Sequence, residues 1–146
     1  MTRSDLSPDL LACQLLATSK KQLLETLCKR LANHSSLCER AVLDAVLERE
    51  KLGSTLIGDG IAIPHARVED AGACTSLLAT LADPVDFDGA TVDVVMLVIG
   101  CENDQTGHLA ALSNASKRLR LSSRSLRSAS RETELRSAFD GLTAAA

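Results

Sequence analysis

Apolar residues recur along this chain in two rhythms. Asp9-Leu10-Leu11-Ala12-Cys13-Gln14-Leu15, after Pro8, reads as a strand. Ser19-Lys20-Lys21-Gln22 has the form of a capping box, and Leu23, Leu24, Leu27 and Leu31 then fall on one helical face. Ser36-Leu37-Cys38-Glu39 predicts a second box. Its helix turns Val42, Ala45 and Val46 inward and stops near Leu52 with Gly53. Ile61-Ala62-Ile63 predicts a short strand, and residues 75–82 another, ended by Asp83-Pro84. Residues 93–99 form a continuous apolar run, as in a strand buried on both faces. A helix follows over about 105–119, burying Leu109, Leu112 and Leu119. Short helical segments complete the chain, the last from about Ser130, before a frayed Ala144-Ala145-Ala146 end. Strands alternating with helices predict an α/β fold. No internal repeat or linker divides the 146 residues, which suit one domain with a sizeable core.

Composition narrows the function classes. Phe87 and Phe139 are the only aromatic side chains, so the core is aliphatic and base stacking has just two candidate platforms. The formal net charge of −3 favours solubility and says little about partners, and no nucleic-acid partner is expected. Cysteines stand at 13, 28, 38, 74 and 101, an odd set without Cys-x-x-Cys spacing. That pattern predicts small buried side chains, no zinc site and a reducing, cytoplasmic compartment. No basic segment followed by a long apolar run begins the chain, so neither a signal peptide nor a membrane span is expected.

Candidate chemistry concentrates at Gly60-Ile61-Ala62-Ile63-Pro64-His65-Ala66-Arg67. Proline closes a strand because it has no N–H for the ladder, which predicts His65 on a loop just past the strand end. A neutral imidazole offers a ring-nitrogen lone pair as nucleophile. Arg67 can face an anionic oxygen if the loop curls back. Upstream, Gly53-Ser54-Thr55 and Gly58-Asp59-Gly60 supply glycines and hydroxyls suited to a phosphate. A Walker A loop is excluded, because no Lys and hydroxyl residue follow the second glycine. Hairpin chemistry is the other reading, since Asp-Gly is a strong turn signal. A histidine after a proline also serves as a cap or a solvated residue.

Residues 49–55, Arg-Glu-Lys-Leu-Gly-Ser-Thr, together with Gly58-Asp59-Gly60-Ile61-Ala62-Ile63-Pro64-His65, closely resemble the EIIA domain of the fructose/mannitol type. These domains belong to the bacterial phosphoenolpyruvate-dependent phosphotransferase system. Residues 104–113 and Lys117-Arg118-Leu119 extend the likeness, which spans roughly residues 6–140 and is greatest to the stand-alone nitrogen-regulatory branch, EIIA-Ntr.

The resemblance implies a mixed central sheet flanked by helices. It implies that His65 accepts a phosphoryl group from a phosphohistidine on a small carrier, HPr or its relative NPr, with no metal or cofactor. The transferred group is loose and metaphosphate-like, so positioning and charge balance do most of the work. Arg49 and His108 match positions near the phosphorylated histidine. Arg49 can hold phosphoryl oxygens by two parallel hydrogen bonds, and His108 is expected to open the helix after the buried strand, where the terminus favours an anion. Ser54, Thr55 and Arg67 are further phosphate-binding candidates. Arg49 can instead pair with Glu48 or Glu50, and His108 can be an exposed first-turn residue. His34 is expected at the surface.

Two function classes follow. One is a sugar-uptake relay that passes the group to an EIIB domain. The other is a regulator whose two phosphorylation states contact different targets, which in the nitrogen branch include potassium-transport and sensor-kinase proteins. The absence of an attached EIIB or membrane domain favours the second. The segment 113–131 departs from the family in its wealth of Ser and Arg. Arg120, Arg124, Arg127 and Arg131 would line one helix face if that helix were continuous, read as a solvated face, with contact to an acidic partner or nucleic acid as the alternative.

Overall fold

The strand running through the middle of the molecule is apolar on both faces, and it organises everything else. In the computed structural model, which describes residues 7–69, 71–72 and 74–145, the elements are β1 (Leu10–Leu15), α1 (Lys20–Ser35), α2 (Glu39–Lys51), β2 (Leu56–Gly58), β3 (Ile61–Ala62), β4 (His65–Val68), β5 (Thr75–Phe87), β6 (Ala90–Cys101), α3 (Gln105–Ser128) and α4 (Glu132–Ala145). The sheet order is β1-β5-β6-β3-β2, with β4 also paired to β6. Pairing is parallel for β1/β5, β3/β6 and β4/β6, and antiparallel for β2/β3 and β5/β6. This is the α/β fold the pattern predicts, with the mixed sheet the resemblance implies.

Along β6, Val95, Leu97 and Ile99 join a core with Leu23, Leu27 and Leu31 of α1 and Val42 and Val46 of α2. The alternate residues Val94, Met96 and Val98 join a second core with Leu119 and Leu126 of α3 and Leu135 and Phe139 of α4. Period-two alternation therefore feeds two helical layers. Phe87 and Phe139 are both fully buried, so neither offers a stacking platform.

Several boundaries differ from expectation. Ser19 does cap α1, accepting from the Gln22 amide at 3.1 Å. Ser36, however, is the left-handed C-cap of α1 at φ 58°, and Cys38 precedes α2 without a side-chain cap bond. Ser36 closes α1 within the three-residue link, so it cannot also open α2 as the start of a second capping box. Strand β5 continues through Asp83-Pro84 to Phe87, because its register to β6 shifts between Thr80 and Val85. An unpaired stretch tolerates a residue without an N–H.

Helix α3 is continuous to Ser128, since Leu119, Ser122 and Leu126 keep one buried stripe. The Ser122 hydroxyl donates back to the Arg118 carbonyl at 2.6 Å, which satisfies it inside the core. Leu109 is 57% exposed rather than buried; His108 takes the inward position beside it. Among the cysteines only Cys28 is buried, while Cys38 and Cys74 are exposed. Helix α4 runs to Ala145, and Ala146 lies outside the described residues.

The arginine-rich face is exposed at Arg120, Arg124 and Arg131, as expected, but Arg120 and Arg127 also bind across to other elements. Arg120 donates to the Ile57 carbonyl at 2.7 Å. Arg127 Nε lies 2.9 and 3.1 Å from the two Asp93 carboxylate oxygens, and its Nη2 donates to the Asp59 carbonyl. These two side chains clasp the β2–β3 hairpin to α3. Arg131 lies beyond the helix and pairs with Glu134 at 3.3 Å, while Arg124 is exposed. At the hairpin tip Asp59 and Gly60 both have positive φ, 55° and 75°, the conformation an Asp-Gly turn supplies.

Candidate functional site

Three elements converge on His65. It is the first residue of β4, hydrogen-bonded into the sheet opposite Val98 rather than lying on a loop. Ile63 and Pro64 break the edge between β3 and β4, and the Val98 N–H bonds the Pro64 carbonyl at 3.0 Å. The missing proline N–H is thus accommodated where the strand is interrupted. The last turn of α2 brings Arg49 beside β4. The first turn of α3 brings His108, whose ring centroid is 5.7 Å from that of His65.

The cleft between them has a volume of about 430 Å³. Its lining includes Arg49, Leu52, His65, Arg67, His108 and Leu109. Larger grooves of about 860 and 650 Å³ run along α4, but neither holds a histidine. Leu52 is 83% exposed at the cleft rim, and with Leu109 it flanks the chemistry with an apolar surface.

His65 Nδ1 lies 2.8 Å from the Ile63 carbonyl oxygen. A carbonyl only accepts, so Nδ1 carries the proton and Nε2 holds the lone pair in the neutral ring. Burial lowers the His65 pKa below 6.5, and Arg49 adds to that, against opposing effects of the Ile63 bond and Glu50. His108 is pushed down further, to about 4, chiefly by burial and then by His65 and Arg67. Both rings are therefore neutral at pH 7.

His108 fits because Gly100 has no side chain. A Cβ on Gly100 would come 2.5 Å from His108 Nδ1. That nitrogen is buried without a hydrogen-bond partner, so the proton is better carried by Nε2. The helix terminus is more guarded than the sequence suggests. His108 is the fourth residue of α3, and its N–H bonds the Asp104 carbonyl at 3.0 Å. The Asp104 carboxylate caps the Gly107 N–H at 3.0 Å, which places negative charge at the same end.

Of the predicted residues, the structure brings Arg49, His65, Arg67 and His108 into one cleft. It does not bring Ser54 or Thr55 there. Ser54 is exposed and bonds Asp88, and the buried Thr55 hydroxyl donates to Glu50. Arg49 donates to the Gly53 carbonyl at 3.0 Å, and Arg67 to the Glu102 carbonyl at 3.2 Å. These bonds hold each guanidinium at the cleft edge through one of its five donors. His34 is exposed at the end of α1, as expected. Sequence reasoning missed Gly100, Leu52 and Leu109. The glycine ending the apolar run is the one signal that pointed to a close approach.

Comparison with known proteins gives the family of the fold that holds this cleft. Residues 6–140 match the family model "Phosphoenolpyruvate-dependent sugar phosphotransferase system, EIIA 2". The chain belongs to this EIIA family. A nitrogen regulatory protein of Bradyrhizobium diazoefficiens is 38% identical over 117 residues, covering 78% of this chain and 76% of that protein. The crystal structure of the nitrogen regulatory protein IIA-Ntr from Neisseria meningitidis superposes with a TM-score of 0.81 at 31% identity. That match covers 89% of this chain and 92% of the other. Escherichia coli IIA-mannitol, solved in complex with its phosphorylated IIB, shares the fold with a TM-score of 0.74 at 18% identity, over 90% and 94% of the two chains. Within this EIIA domain no helix among the described residues is long and apolar enough to cross a membrane.

Proposed function

We propose that this EIIA protein accepts a phosphoryl group on His65 Nε2 from the phosphohistidine of a small carrier, HPr or NPr, and acts as a nitrogen-type regulator. The observation that carries this reading is the 2.8 Å bond from His65 Nδ1 to the Ile63 carbonyl, which leaves Nε2 as the nucleophilic nitrogen. In the transfer, the Nε2 lone pair forms a bond to phosphorus as the carrier's N–P bond breaks. The electron pair of that bond stays on the carrier nitrogen. The Nδ1 proton stays on His65, held by Ile63. The positive charge that the ring gains is the charge the carrier's ring loses.

Arg49 and Arg67 balance the charge of the phosphoryl oxygens, and the neutral His108 donates a hydrogen bond. Ser54 and Thr55 bind other groups in the unphosphorylated protein, so they are not assigned to the phosphate. The apolar rim of Leu52 and Leu109 suits the docking of a carrier. Regulation follows from charge, since the phosphoryl group itself carries about two negative charges and strong acceptor oxygens at this surface. The similarity to nitrogen regulatory proteins supports the regulatory role over sugar transport. Relay to an EIIB is the second reading, favoured by the complex of the mannitol relative with its phosphorylated IIB. A cytoplasmic location fits either.

Intact mass after incubation with phosphoenolpyruvate, enzyme I and HPr or NPr tests the reaction. One acid-labile phosphoryl group on the wild type and none on His65→Ala is expected. No gain with either carrier overturns the proposal. Binding of the phosphorylated and unphosphorylated forms to non-transport proteins, against phosphate loss only to an EIIB, separates the two roles.

A further inference from the structure

Behind the cleft the last turn of α2 buries a carboxylate. Only 6% of the Glu50 side chain is exposed. It accepts a hydrogen bond from the Thr55 hydroxyl, and Lys20 Nζ lies 2.9 Å from its Oε1. The Thr55 carbonyl accepts from the Ile63 N–H at 3.0 Å, and the Ile63 carbonyl accepts from His65 Nδ1 at 2.8 Å. A chain of contacts thus runs from α1 and α2, through the segment before β2, to the ring of the acceptor histidine. Lys20 is itself anchored at the far end. It lies 2.5 Å from Asp88 and 4.5 Å from the centroid of the Phe87 ring.

We propose that Glu50, Thr55 and Lys20 form a positioning brace that fixes the Ile63 carbonyl and, through it, the His65 tautomer with Nε2 free. The tautomer of a neutral imidazole is set by the hydrogen bond its other nitrogen makes. A carbonyl that wanders no longer holds the Nδ1 proton, and the lone pair is then shared between both nitrogens. The 54–55 segment has no helix or strand of its own, so the Glu50–Thr55 bond is what ties it to α2. Lys20 makes the arrangement tolerable, because a carboxylate this buried needs a cation. None of the three residues lines the cleft, so their effect reaches the reaction only through His65.

The rate part of this inference rests on His65 being the phosphoryl acceptor; the tautomer part does not. The test compares wild type, Thr55→Val, Thr55→Ser and Glu50→Gln. Ring-nitrogen chemical shifts of ¹⁵N-histidine-labelled unphosphorylated protein report the tautomer, and rapid-mixing kinetics with phosphorylated HPr report acceptance. Wild type and Thr55→Ser are expected to hold the Nδ1–H form. Thr55→Val is expected to show a mixture, with kcat for acceptance down in proportion to the remaining Nδ1–H fraction, about 2- to 10-fold, at unchanged KM for the carrier. Glu50→Gln, which keeps an acceptor for Thr55 but loses the Lys20 ion pair, is expected to shift the same way and supplies the test if Thr55→Val does not fold. Folded variants with the wild-type tautomer overturn the brace, whether or not they are slower. A wild type that takes no phosphoryl group overturns the acceptor reading and leaves the tautomer comparison standing.

Discussion

Gly100 sets how far His108 can settle beside His65. Alanine there would put a Cβ 2.5 Å from His108 Nδ1, and neither the strand nor the helix packed on it gives way easily. Gly100→Ala is expected to destabilise the fold by about 1–3 kcal/mol and to slow phosphoryl acceptance, measured by urea unfolding and by transfer kinetics. His108→Ala, which removes the side-chain donor proposed to face charge in the transition state, is expected to slow acceptance by about 100-fold. The two histidines also make stability depend on pH. Both have folded pKa values below their ordinary 6.5, so below that pH the unfolded chain binds more protons. Their contribution is fully present above pH 6.5 and is lost as the pH falls through the folded values, to about 4 for His108. Urea midpoints between pH 7 and 4 are expected to fall for the wild type and to fall less for His108→Gln. A flat wild-type profile would contradict the burial argument.

The β2–β3 hairpin carries few contacts of its own, and α3 holds it. The Arg127 guanidinium and the Asp93 carboxylate are each about one-third exposed, 33% and 29%, so the ion pair by itself contributes modestly. The added bond to the Asp59 carbonyl makes Arg127 a clasp across three segments. Arg127→Ala is expected to destabilise the protein by about 1 kcal/mol, against under about 0.5 kcal/mol for the exposed Arg124→Ala. Equal urea midpoints for the two variants would remove the clasp. These arginines also show why helix-face periodicity misleads. Their spacing correctly places them along α3, but spacing carries no information about which carbonyls of another element lie opposite.

Across the whole chain, the layers were legible wherever periodicity met burial. Leu23, Leu24, Leu27 and Leu31 declared α1, and the apolar run through Val94 to Ile99 declared the central strand. Boundaries failed where tertiary pairing overrode a local signal, as at Pro84, which sits in an unpaired stretch, and at Ser36, which ends one helix instead of starting another. The site divided in the same way. Arg49, His65, Arg67 and His108 were readable through the family likeness, and all four line the cleft. Thr55 was misread because a hydroxyl beside glycines does not reveal that a buried carboxylate claims it. The exposed Leu52 and Leu109 became meaningful only once the fold set them around the cleft. Leu52→Asp is expected to raise KM for the phosphorylated carrier about tenfold while leaving the urea midpoint within error, as a rim anchor outside the core should. An unchanged KM would remove Leu52 from the docking surface.

The most direct measurement is ¹⁵N–¹H correlation NMR of the phosphorylated, histidine-labelled protein. The phosphoryl group is expected on Nε2 of His65, with Nδ1 still protonated and His108 unmodified. Phosphorus on Nδ1, on His108, or on no histidine would contradict the geometry from which the function is read.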